Sequence, residues 1–346
     1  VIIGNENLVC GHGFPVLVVE LAGEAALSMP SRDGVVKFRA LRQSRQLFLP
    51  RTAMRSQALR ADLLMLLTAM IWGSAFVAQR LGMDAIGPFL YTGLRFTLAT
   101  LALLPLVLWL GKREGEHKPE PFNRGLLLGG LAMGLALSLG INLQQVGLLF
   151  TSVTNSGFIT GLYVIVVPLL GLLIGQRTGM GTWLGAGLAV VGMFLLSVGE
   201  GFQVASGDWL QLAGAFVWGV HVLLVSFFAS RHDPLRLALL QFAVCAVLSL
   251  VLAVLFEEIR LEAILAAGPA ILYGGLLGVA VGFTLQVVAQ KHAIASHAAI
   301  ILSLEAVFAA IAGALLLGEA LALKGYFGCA LMFAGMLLAQ LWPKRA

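Results

Sequence analysis

Charged side chains are scarce, at 11% of 346 residues, where soluble globular chains carry about 25%. A chain so poor in charge cannot cover a water-facing surface, which excludes an ordinary soluble domain. Cysteine is nearly missing as well: Cys10, Cys245 and Cys329 are odd in number and far apart, which excludes a disulfide framework and a CxxC metal or redox site. His292 and His297 are five apart and do not share a helix face as an i, i+4 pair would, so no metal site is expected. Gly185-Ala186-Gly187 is followed by Gly192 inside a long apolar run, so it is not a dinucleotide loop, and a P-loop lysine is lacking. No catalytic constellation and no cofactor site emerge, and a non-enzyme is expected.

The net charge of +5 does not point to nucleic acid. Residues 1–60 hold eight bases against four acids, and the other 286 residues carry only +1. No basic face remains to follow a phosphate backbone. Residues 1–53 also mix Gly, Ser, Arg and Pro without sustained periodicity, and the order of a signal peptide is lacking; residues 1–60 are therefore read together. They are expected to be an N-terminal extension, disordered or in part (residues 1–53) an artefact upstream of a more usual start at Met54.

What the chain has is apolar length. Hydrophobic residues make up 59% and the mean hydropathy is +0.95. Ten runs bounded by Gly, Pro or charge fall at about 61–80, 87–109, 125–146, 153–174, 181–199, 208–228, 235–256, 269–289, 295–316 and 322–341. They exceed the 9–11 residues or so of a barrel strand and do not alternate, so they read as helices. With a cytoplasmic N-terminus, twelve Lys and Arg residues face the inside and only Arg80, Arg260 and Lys324 the outside. That bias predicts both termini in the cytoplasm.

The chain is duplicated. At an offset of 146, Asp62 matches Asp208, Trp72-Gly73 matches Trp218-Gly219, Pro88 matches Pro234 and Phe96 matches Phe242, while Gly185 and Gly192 match Gly328 and Gly335 at 143. Five segments per half invert the second half in the membrane, an architecture usual in carriers. The expected fold is therefore an all-α integral membrane protein of ten transmembrane helices in two inverted five-helix repeats, 61–199 and 200–341, with a cytoplasmic tail at 342–346. Seven GxxxG pairs, among them Gly181/Gly185 and Gly274/Gly278, offer smooth faces for close helix packing.

Trp72-Gly73-Ser74-Ala75-Phe76, Leu94-Arg95-Phe96, Asn155 through Tyr163, Ser303 through Ala310 and Leu317-Gly318-Glu319 together resemble the EamA family of the drug/metabolite transporter superfamily. The resemblance covers residues 61–341. It implies a ten-helix inverted repeat with cytoplasmic termini that exports or exchanges small metabolites through a cavity lined largely by segments 1, 3, 4, 6, 8 and 9. Where that family often has Pro after the acid of segment nine, this chain has Ala306.

In such a chain, function resides in the few polar and aromatic groups within the apolar runs. Trp72 and Trp218 occupy equivalent places and serve either helix packing or an aromatic wall that grips an organic solute. His221, one turn beyond Trp218, is a candidate solute or proton contact, with a structural hydrogen bond as the plainer reading. Gln144 and Gln145 in segment three, with Gln286 and Gln290 in segment eight, either bond helix to helix or line the pathway. Asn142, Thr154, Asn155, Thr160 and Tyr163 add hydrogen-bonding groups to segments three and four. Glu305 and Arg95 are the acid and base placed deepest, and each intramembrane charge costs roughly 2.5–3.5 kcal/mol unless paired, hydrated or neutralised. Glu305 is expected to carry a proton or meet a cationic group of the solute; Arg95 is expected to be structural.

These readings converge on a multi-pass carrier of the cytoplasmic membrane that moves small organic solutes, amino-acid-like or similarly amphipathic, by alternating access. A channel-like facilitator and a membrane-embedded enzyme are the rivals. The expected partners are a small organic solute and membrane lipid, with protons and a second copy of the chain as further candidates.

Overall fold

The computed structural model describes residues 51–112, 122–151, 153–176, 178–197, 206–317 and 323–342. Residues 1–50 of the expected extension and the tail from 343 lie outside the described residues. The chain divides into Val1–Arg55 and the helical body Ser56–Ala346. In chain order the elements are α1 (Arg51–Met83), α2 (Pro88–Lys112), α3 (Arg124–Gly147), α4 (Val153–Gly161), α5 (Tyr163–Leu173), α6 (Met180–Ser197), α7 (Ser206–Ala229), α8 (Pro234–Phe256), α9 (Leu261–Ala266) and α10 (Gly268–Leu272). A π-helical stretch (Tyr273–Phe283), α11 (Thr284–Gln290), α12 (Ala295–Leu302), α13 (Glu305–Leu317) and α14 (Leu323–Leu341) complete them. No strand occurs among the described residues.

Lipid offers the backbone no hydrogen bonds, so a spanning segment must satisfy its own, and helices do so. Eight stretches are long and apolar enough to cross a membrane: Gln57–Met83, Pro88–Leu110, Arg124–Gly147, Ser156–Leu173, Ser206–Ala229, Pro234–Phe256, Gly268–Gln290 and Ala295–Leu316. The two remaining expected segments appear as the shorter apolar helices Met180–Leu195 and Leu323–Ala339. Among the described residues the first helix already covers Arg51–Met83, ahead of the start near residue 61 that the apolar run suggests.

Helix starts are set by specific residues. Asn123 accepts a hydrogen bond from Leu126 N at 2.8 Å and Asp233 one from Arg236 N at 2.9 Å, each an N-cap that satisfies an orphan donor. The start of α2 is capped from the other half: the Glu257 carboxylate accepts from Phe89 N at 2.8 Å and Leu90 N at 2.7 Å. A carboxylate also suits the positive end of a helix dipole.

Three of the expected single helices are interrupted. Segment four breaks at Leu162, whose N–H reaches only three residues back, to Ile159 O at 3.1 Å. Segment nine breaks at Ser303-Leu304, where Leu304 N bonds Ile301 O at 3.1 Å. The second break forms with Ala306 in place of the family's frequent proline, so it does not need a ring to create it. Segment eight is wound as a π-helix over Tyr273–Phe283, a form that is rare and concentrated at functional sites.

α6 lies along α14, α2 along α8, and α3 against both α7 and α8. The α6–α14 contact is reciprocal. A Cβ on Gly185 would stand 2.6 Å from Gly335 O, and one on Gly335 would stand 2.6 Å from Gly185 O. Backbone touches backbone there because neither residue has a side chain. At the centre, the repeat-matched Phe96 and Phe242 meet edge to face at 6.0 Å, and Phe283 packs on both.

Candidate functional site: a central cavity

The interrupted helices and α1, α2, α3 and α7 line a partly open central cavity. From α1 come Trp72, Ala75, Phe76 and Gln79, spaced i, i+3, i+4, i+7 and therefore on one helix face. Ile141 and Gln144 come from α3, Thr160 from α4, Tyr163 from α5, and Trp218 with Val222, one turn apart, from α7. Gly278 and Phe283 of the π-helix, Gln286 of α11, Leu302 of α12 and Glu305 of α13 close the opposite side, and Arg95 reaches in from α2.

The aromatic part is built from the duplicated tryptophans. Trp72 and Trp218 line the same cavity with Phe283 between them, 4.5 Å from the Trp72 ring and stacked at 5.9 Å on the Trp218 ring. Each indole N–H crosses to the other half of the chain: Trp72 Nε1 donates to Gly278 O at 3.0 Å and Trp218 Nε1 to Gln144 Oε1 at 3.2 Å. Gly282 makes room for the first ring, since a Cβ there would sit 2.7 Å from Trp72 Nε1. The indoles are thereby held by their polar edges, and with Phe283 they form a continuous aromatic wall on the cavity.

The polar part contains both charges. Glu305 is the first residue of α13, immediately after the break, and its Oε1 accepts from Tyr163 Oη at 3.1 Å. Arg95 is 2% exposed. One guanidinium nitrogen donates to Gln145 Oε1 at 3.2 Å, and the group lies 5.1 Å from the Tyr91 ring and 5.5 Å from the Phe96 ring. Its Nε has no acceptor. Arg95 and Glu305 form no ion pair with one another, and the described residues provide neither with an opposite charge within 4.0 Å. The amide oxygens of Gln79 and Gln286 are likewise without a protein donor.

Of the residues singled out in the sequence, Trp72, Gln144, Tyr163, Trp218, Gln286 and Glu305 meet in this cavity. Two stand apart from its lining. His221 is fully buried behind Trp218, edge-on to it at 5.6 Å, with Nε2 2.9 Å from Gln241 Oε1. Gln290 donates to Val222 O at 3.1 Å and Ser226 Oγ at 2.8 Å, which ties α11 to α7. The side chain of Asn155 lies outside the described residues. Arg95, expected as a structural residue of a peripheral segment, is part of the lining.

Two polar contributors are not evident in the sequence. Gln79 follows from the helical spacing after Trp72 but lies next to Arg80 and so reads as a helix end. Gln211 ties together two lining residues, accepting from Thr160 Oγ1 at 3.3 Å and donating to Gln144 O at 2.8 Å. Its counterpart in the duplication is Met65, so the repeat gives it no signal.

The EamA-like transporter family matches the chain twice, over residues 59–198 and 205–341. An uncharacterized transporter of Archaeoglobus fulgidus is 32% identical over 288 residues, covering 82% of this chain and 86% of the relative. A probable terminal-alkyne amino-acid exporter of Streptantibioticus cattleyicolor is 26% identical over 225 residues, covering 63% of this chain and 72% of the relative. A solved crystal structure superposes with a TM-score of 0.65 at 19% identity over 81% of this chain and 96% of its own, a likeness of fold. With both halves matched by one family and a full-length relative at this identity, the chain is a multi-pass membrane protein that belongs to the EamA-like transporter family.

Proposed function

We propose that the protein is a cytoplasmic-membrane carrier that exports or exchanges amino-acid-like, amphipathic solutes by alternating access. The observation that carries this reading is the central cavity, whose lining combines an apolar wall from duplicated aromatics with an acid, a base and amide oxygens that have no donor. Small-molecule sites combine these features: apolar walls for affinity and a few polar groups for orientation. The S. cattleyicolor relative, named a probable amino-acid exporter, supports the same solute class.

The proposed architecture is ten spans in two inverted repeats with both termini in the cytoplasm. Reciprocity supports it. Gly185 and Gly192 match Gly328 and Gly335 in sequence, and the close approaches run Gly185 to Gly335 and Gly192 to Gly328, as a two-fold axis between equivalent helices requires. The two tryptophan bonds follow the same rule, first segment to eighth and sixth to third. Breaks in segments four and nine give each half one jointed helix at the cavity, a feature of carriers that rock about a fixed site.

Counterflow tests the reading. Proteoliposomes loaded with unlabelled amino acids and diluted into labelled phenylalanine or leucine are expected to accumulate label transiently above equilibrium, and uptake is expected to saturate. Linear uptake without counterflow assigns a channel-like facilitator instead, and chemical change of the solute assigns an enzyme.

A further inference from the structure

The carrier reading leaves a buried base to explain. Arg95 cannot shed its charge at any ordinary pH, and in the membrane interior that charge costs energy unless it is paired or hydrated. Its protein environment answers only in part: one amide oxygen from Gln145 and the faces of Tyr91 and Phe96. Cation–π contacts contribute about 0.5–2 kcal/mol each, but they do not engage the in-plane N–H donors of the fork; of these one is taken by Gln145, and Nε has no acceptor. A guanidinium with free in-plane donors is built to take a carboxylate through two parallel hydrogen bonds.

Glu305 faces the same space with a carboxyl group that takes the opposite sign when ionised. Tyr163 donates to it, and the oxygens of Gln79 and Gln286 add two neutral acceptors that are buried and unpartnered. The cavity lining therefore holds both donors and acceptors that the protein leaves unsatisfied. Two opposite charges that line one low-dielectric cavity without pairing are both satisfied by a solute that carries both signs.

Resting on the carrier reading, we infer that Arg95 anchors the carboxylate of a zwitterionic solute while Glu305, with the Gln79 and Gln286 oxygens, receives its ammonium group. The apolar side chain of such a solute then lies against Trp72, Phe283 and Trp218. A zwitterion leaves the cavity's charge balance unchanged, whereas a simple cation or anion satisfies one pole and strands the other. Arg95 is in this assignment a specificity-determining residue and not a structural one.

The test uses the purified full-length chain in detergent and in proteoliposomes, with phenylalanine and leucine as probes beside their methyl esters, which lack the carboxylate charge, and their N-acetyl derivatives, which lack the ammonium charge. Loss of one charge-assisted contact is expected to weaken binding about tenfold to a hundredfold, so both derivatives should compete that much more poorly than the free amino acids. Arg95→Gln is expected to lose affinity for the amino acid while the methyl ester binds about as before, which narrows the preference between the two; Arg95→Lys is expected to restore part of it. A purely structural Arg95 would change all ligands equally.

Esters that compete as well as the free amino acids in the wild-type protein overturn the assignment without any mutant, so misfolding of Arg95→Gln does not shelter it. Counterflow of other metabolites with no binding of these amino acids overturns the zwitterion inference and leaves the carrier standing. Absence of counterflow with any solute overturns the carrier reading itself.

Discussion

Tyr163 and Glu305, 142 positions apart, are joined by a 3.1 Å hydrogen bond between the two halves of the chain. Each is the first residue of a helix that resumes after a break, Tyr163 in α5 and Glu305 in α13. The bond therefore clamps together the joints of two equivalent helices. A carrier that rocks one half against the other must change the angle at such joints, and the bond lies where that change would be felt.

Tyr163→Phe removes the donor and keeps the ring. Leaving a buried acceptor without its donor costs about 1–3 kcal/mol, so transport is expected to fall at least several-fold with membrane abundance near wild type. Unchanged transport would show that the bond does not take part in the cycle.

The α6–α14 contact predicts a contrast within one helix. At Gly185 a Cβ would lie 2.6 Å from Gly335 O, whereas at Gly187 it would meet nothing within 4 Å. Gly185→Ala is expected to cost about 1–3 kcal/mol through overpacking. Gly187→Ala is expected to be neutral or slightly stabilising, because Ala favours helix by about 1 kcal/mol over Gly. Melting of the purified variants in detergent measures both, and equal melting points would mean that the backbone contact carries no stability.

The span pattern, the duplication and the paired tryptophans are legible in the sequence because apolar length and a repeated word are local properties. The break at Ser303-Leu304 is not, since it contains neither Pro nor Gly, and the one at Leu162 follows Gly161, one glycine among many in apolar runs of this chain. The π-helix at Tyr273–Phe283 changes hydrogen-bond register without changing composition, so hydropathy is blind to it. Glu257 reads as an outer-loop acid, and its capping of α2 depends on a fold that brings residues 168 apart into contact. Arg95 is conspicuous in an apolar run, but only the arrangement of the other segments turns it toward the cavity.

The aromatic wall separates binding from folding. Trp72→Ala and Trp218→Ala are each expected to weaken amino-acid binding more than they lower protein level, because stacking faces are lost from the cavity while most of the surrounding helix contacts remain. Trp→Phe at either position keeps a ring and loses only the indole N–H bond to Gly278 O or Gln144 Oε1, so its effect should be smaller. Parallel loss of protein and binding in the Ala variants would mark the rings as packing groups.

Orientation is open to direct chemical test. The Glu258 side chain is 83% exposed, on the connection after α8, and the charge bias places that connection outside the cell. A cysteine at Glu258 is expected to react with an impermeant maleimide added to intact cells, and one at Glu116 only after permeabilisation. The reverse pattern would invert the proposed topology.

Glu305 provides the sharpest test of the mechanism, because it is an acid lining the cavity and its neutral isostere fits the same space. Glu305→Gln keeps an oxygen able to accept from Tyr163 but carries neither a negative charge nor an exchangeable acid proton. Abundance in the membrane is therefore expected to stay near wild type, since no ion pair is broken among the described residues. If Glu305 meets the ammonium group or moves a proton, the variant should lose transport, or retain it with the pH dependence removed. Counterflow and net export, each measured across a pH series, distinguish the two roles: a pure ammonium contact impairs both, whereas a proton carrier impairs net export and spares counterflow. Full transport with the wild-type pH profile would return Glu305 to a structural role as the acceptor that holds Tyr163 at the joint.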